Sequence, residues 1–134
     1  MSDDEFLAAF EAATLPNGSF HHRDHVRAGW LILQRLPLLP ALARFTAALQ
    51  RFAAANGAPQ LYHATITAAF LLLIHERAAA APEGTTFEAF AAANPDLLRW
   101  KPSILADYYS DEALGSVEAR RGFVVPDRVL QRAS

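Results

Sequence analysis

The stretch that most restricts the fold is Ala64 to Ile74, Ala-Thr-Ile-Thr-Ala-Ala-Phe-Leu-Leu-Leu-Ile, which carries no charge. It is too short to cross a bilayer. It sits inside a longer helical pattern, about residues 61–81, that turns polar only at His75-Glu76-Arg77. A helix without a polar face has to be surrounded by protein. This segment is therefore expected at the centre of an all-α single domain, with the other helices packed around it.

Those helices are readable from their periodicity and their punctuation. Ser2 and Glu5 form a capping box for a helix over about residues 3–14, with Phe6, Leu7, Phe10 and Ala13 at helical spacing. The run Leu15-Pro16-Asn17-Gly18-Ser19 is a turn. A second helix covers about 21–35, with Val26, Gly29, Trp30 and Leu33 facing the core and Arg23, Arg27 and Gln34 opposite. Pro37 and Pro40 break the chain before a third helix over about 41–56, whose stripe is Leu42, Phe45, Leu49 and Phe52. Asn56-Gly57 closes it, and Pro82-Glu83-Gly84 closes the fourth.

Beyond that point the elements are short. Thr85 and Glu88 read as a capping box, Pro95 as a first helical residue, and Ser110 and Ser116 as caps. Leu97, Leu98 and Trp100 are expected to pack this region down. Gly122 stops the last helix, Phe123 to Pro126 is extended, and 131–134 is a frayed tail. The expected architecture is a bundle of about four main helices with short C-terminal ones, in one domain spanning 1–134. Twenty-eight alanines against six glycines support that reading.

Composition excludes several functions. With no cysteine there is no disulfide, thiolate metal site or thiol catalysis. Twelve basic and fourteen acidic residues without a basic run give no footprint for nucleic acid or a membrane surface. Nothing suggests a nucleotide cofactor. An acidic start, Ser2-Asp3-Asp4-Glu5, is unlike a signal peptide. The expectation is a soluble cytoplasmic protein.

The chemistry is concentrated in two polar islands. In Phe20-His21-His22-Arg23-Asp24-His25-Val26, His22 and His25 stand three apart on one helix face and point to the core stripe. A helix start disfavours the imidazolium, and neutral imidazole is the form that binds metal. Asp24 suits a capping or supporting carboxylate, and Gly29 leaves space one turn on. His21 belongs to solvent. In the second island, Tyr62-His63-Ala64-Thr65-Ile66-Thr67, His63 needs a partner because it opens the buried helix. Thr67, one turn later, is placed to bond that imidazole, or else the carbonyl four residues back. If the islands meet, His22, His25 and His63 would offer three nitrogens to one divalent transition metal: zinc, iron, nickel or copper. Such an ion can lower the pKa of bound water to about 7. Tyr108 and Tyr109 either pack the C-terminal helices or close the pocket mouth. His75 is three turns too far along its helix to join.

These motifs together, Phe20-x-His22-x-Asp24-His25-Val26-Arg27, Tyr62-His63-x-Thr65-x-Thr67, Asn94-Pro95-Asp96-Leu97-Leu98 and Tyr108-Tyr109-Ser110, resemble an uncharacterised family of small bacterial helical proteins. The resemblance spans nearly the whole chain and implies a helical fold, with no established activity attached. The family often carries Glu after the Tyr-His pair, where this chain has Ala64.

Three functions follow as expectations. The first is a metal-dependent enzyme using the three histidines. The alternative is a non-catalytic module that binds a small molecule or a metal in the same pocket, which the absence of an acid beside His63 favours. The third is a structural helical domain with internally satisfied histidines. Exposed leucines at 36, 38 and 39 would leave homo-oligomerisation open.

Overall fold

The computed structural model describes residues 1–16 and 20–128, and among them every regular element is helical. The centre of the expected turn, Asn17 to Ser19, and the tail at 131–134 lie outside the described residues. Helix α1 (Asp3–Glu11) begins at the expected box: Ser2 Oγ accepts from the Glu5 amide, and the Glu5 carboxylate accepts from the Ser2 amide. Helix α2 (His22–Leu33) begins where the Asp24 carboxylate accepts from the His21 amide at 2.9 Å.

Helix α3 (Leu38–Ala55) starts three residues earlier than the prolines suggest. Pro37 caps it, and Pro40 falls in the first turn, where an amide has no partner inside the helix anyway. A 3-10 turn (Pro59–Leu61) then leads into α4 (Ala64–Ala79). The cap of α5 (Phe87–Ala93) is Thr86, not Thr85. Thr85 instead turns its hydroxyl onto the Pro82 carbonyl, and Glu88 pairs with Arg23. Two 3-10 turns, Pro95–Leu98 and Ile104–Asp107, precede α6 (Asp111–Leu114) and α7 (Val117–Arg121), which are capped by Ser110 and Ser116.

Packing follows from α4. It lies against α2, α3 and α7, while α1 covers α2 and α3 from another side. Phe70, Leu71 and Ile74 of α4 meet a core built from Phe6, Leu7 and Phe10, from Val26, Trp30 and Ile32, and from Phe45. Gly29 does not open space beside the histidines. It lets α2 approach α4, since a Cβ there would sit 3.1 Å from a methyl carbon of Ile74 and 3.2 Å from one of Leu71.

Ion pairs tie the periphery. Arg27 meets Asp3 and lies over the Phe6 ring, Arg35 meets Asp4, and Arg44 meets Glu11. Each pair keeps at least one largely exposed partner and contributes little. The half-buried Arg77 joins the end of α4 to the Pro95 turn through Asn94 and a two-point contact with Asp96. Hydrogen bonding to Arg77 holds the Asp96 carboxyl below its usual range. Among the described residues no helix is long and apolar enough to cross a membrane.

The close α2–α4 approach gives a direct test. Gly29→Val adds two methyl groups where one carbon already crowds Leu71 and Ile74, so it should destabilise the fold by about 1–3 kcal/mol. Urea unfolding followed by circular dichroism measures this. A variant as stable as the parent would show that the two helices are not in this contact.

Candidate functional site

Between α2, α3 and α4 lies a cavity of about 630 Å3. His22, His25, Tyr62, His63 and Thr67 all line it, so residues from both sequence islands reach one space. Most of the wall is apolar: Phe20, Val26, Phe45, Phe52, Ile66 and Phe70. Exposed Leu61 and Trp100 form rims where it meets solvent. A smaller space of about 440 Å3, lined by His21, His22, Arg23, His25 and Trp100, adjoins the α2 end.

The three histidines of the expected metal site have different jobs. His63 is the N-cap of α4: its Nδ1 accepts from the Ile66 amide at 3.1 Å. Its Nε2 then carries the proton and donates to the Leu114 carbonyl at 2.7 Å. Both nitrogens of a neutral ring are thereby used, and neither is left for an ion. His22 donates from Nε2 to the Leu97 carbonyl at 2.8 Å. Its ring is stacked on Trp100 at 4.8 Å and set edge-on to Phe70. Among the described residues no group of three or more His, Asp or Glu side chains is placed to hold a metal ion. The residues present do not fit the three-histidine ion site, because α4 spends His63 on its own first turn.

His25 is different. Its ring packs edge-on against Phe20 at 4.4 Å and faces the cavity, and it makes no hydrogen bond among the described residues. Burial, reinforced by His22 and opposed by Asp24, pushes its pKa down to about 4. Burial also lowers that of His22, against the carbonyl of Leu97. Both rings are neutral at physiological pH.

The other candidates resolve in physical terms. Asp24 caps α2 and does not line the cavity. Thr67 donates to the His63 backbone carbonyl at 2.8 Å, the carbonyl four residues back, rather than to the imidazole. Thr65, fully buried, donates to the Gly122 carbonyl and accepts from the Val124 amide. Neither Tyr108 nor Tyr109 reaches the mouth. Tyr109 is buried, donates to the Val124 carbonyl at 2.8 Å, and has its phenol pushed up by burial. The aromatic at the mouth is Trp100, about half exposed rather than packed down. Arg120 is a second lining residue that sequence reasoning missed. It donates to the Gln60 and Tyr62 carbonyls, and no local motif signals that contact.

Comparison with family models, with curated proteins and with solved structures gives no match for this chain. Geometry and chemistry alone carry the functional reading.

The half-buried imidazole makes stability depend on pH with a definite sign. An unfolded His25 takes a proton near pH 6.5, whereas the folded one resists it until about pH 4. Stability is therefore full above about pH 6.5 and is lost as pH falls towards 4, by on the order of 3 kcal/mol. Nuclear magnetic resonance of the ring should give a midpoint near 4, and His25→Gln should flatten the stability profile over that window. A midpoint above 6 would mean that the ring is solvated.

Proposed function

We propose that the protein is a non-catalytic binding module for a small, mainly apolar, ring-containing molecule, held between α2, α3 and α4. One observation carries this reading: the cavity of about 630 Å3 contains an imidazole, His25, with no hydrogen-bond partner among the described residues. A volume of this size falls in the range of small-molecule sites, which are mostly apolar with a few directing polar groups. The aromatic walls supply dispersion and edge-to-face contact. His25, half-buried, supplies one donor and one acceptor that no described protein group engages, so a hydroxyl or carbonyl on the ligand would pair with them.

The chemistry of the wall favours binding over turnover. A general base works best with a pKa near the operating pH, and His25 lies well below it. The Thr67 hydroxyl is committed to a backbone carbonyl, and among the described residues no carboxylate lines the cavity. A nucleophile with an adjacent base is not assembled there.

Neutral arylalkyl alcohols test this reading by calorimetry. The parent should bind them, and His25→Leu should weaken binding about tenfold through the lost hydrogen bond while the fold is retained. Ala53→Phe, which directs a ring into the cavity from α3 without removing a core side chain, should abolish binding. Equal affinity in the parent and Ala53→Phe, or no binding of any such alcohol, would sink the proposal.

A further inference from the structure

The polar groups around the cavity are not evenly distributed. Of the described side chains that line it, Arg120 alone carries a fixed charge, and none is acidic. Six other arginines, at 23, 27, 35, 44, 77 and 99, each meet a carboxylate, while Arg51 and Arg128, which do not line the cavity, donate to backbone carbonyls. Arg120 instead places one terminal nitrogen on two backbone carbonyls, Gln60 at 2.9 Å and Tyr62 at 3.4 Å. That contact places the exposed guanidinium at the cavity rim and leaves its other N–H groups uncommitted among the described hydrogen bonds.

Position along α4 sets the separation of the two polar ends. Arg120 sits at the turn that precedes His63, the cap of the helix. His22, and with it the α2 end of the cavity, touches Phe70 at 4.8 Å between ring centroids. Phe70 is seven residues beyond His63, which is about 10 Å along a helix axis. Between the two ends the cavity wall is made by Ile66 and by Phe52 and Phe45 of α3.

We infer that the cavity is built for an elongated amphipathic monocarboxylate, its carboxylate paired with Arg120 and its apolar body lying along α4 towards His25. This rests on the binding reading above and names its ligand class. A guanidinium offers a carboxylate a planar fork of donors, and charge-assisted bonds of that kind are about twice as strong as neutral ones. With no acidic group in the wall to oppose it, the field at the cavity selects an anion, while the apolar lining selects one with a long uncharged body.

Phenylalkanoates of increasing chain length, each compared with its primary amide, provide the test by calorimetry on the full chain. The parent should bind the best acid about tenfold more tightly than its amide, with the preference shrinking as salt is raised. Arg120→Gln should bring the acid down to the affinity of the amide and leave the amide unchanged. Arg120→Lys should keep part of the preference, which shows that charge and not folding is being read. Equal affinities in the parent, or a preference that survives Arg120→Gln, would overturn the carboxylate assignment while the amide's binding leaves the pocket reading intact. Failure of both acids and amides to bind would overturn the two together.

Discussion

The fold depends on burying a helix that is apolar on every side without stranding the polar groups at its first turn. Burial of Phe70, Leu71 and Ile74 supplies the favourable term, since apolar area removed from water contributes roughly 25 cal/mol per Å2. The first turn of α4 lies among other chain segments, and its amides still need acceptors. His63 meets that need with an imidazole in the place where Ser or Asp usually stands, and anchors itself to Leu114 by its second nitrogen. Thr65 and Thr67 complete the arrangement, one across to the C-terminal segment and one back to the helix.

That solution also shapes the cavity. Because His63 is fully engaged by backbone, the polar capacity facing the space shifts to His25 on α2 and Arg120 on α7. Gly29 holds α2 tightly against α4 one turn beyond His25, while nearer the start of α2 the His22 ring meets Phe70 and Trp100. The space is left where aromatic side chains from α2, α3 and α4 meet without filling it. A structural histidine and a ligand-facing histidine can thus share one wall.

Much of the fold was legible from local signals. The Ser2–Glu5 box, the Pro95 start and the Ser110 and Ser116 caps involve residues at most three apart, and the structure keeps each of them. The charge-free run marked the helix that gives Phe70, Leu71 and Ile74 to the core, although Leu72 on its other side is exposed. Pro40 misled because a proline in a first turn and a proline between helices look alike in sequence. The site was legible only as an inventory: His22, His25, Tyr62, His63 and Thr67 do share a cavity, but what each does depends on distant partners. Leu97 is 75 residues from His22, and Leu114 is 51 from His63. No spacing rule reports such contacts, so His63 read as a metal ligand when its nitrogens were already taken. Trp100 and Arg120 were missed for the same reason.

The bonds from His63 and Thr65 to Leu114, Gly122 and Val124 have a consequence for synthesis. The start of α4 leaves the ribosome between 51 and 59 residues before the carbonyls and the amide that bond His63 and Thr65. Until residues 114–124 have been made, the most apolar helix of the chain is present without the distant partners of His63 and Thr65 and without α7 at its side. The nascent chain therefore carries an incomplete interior through that interval.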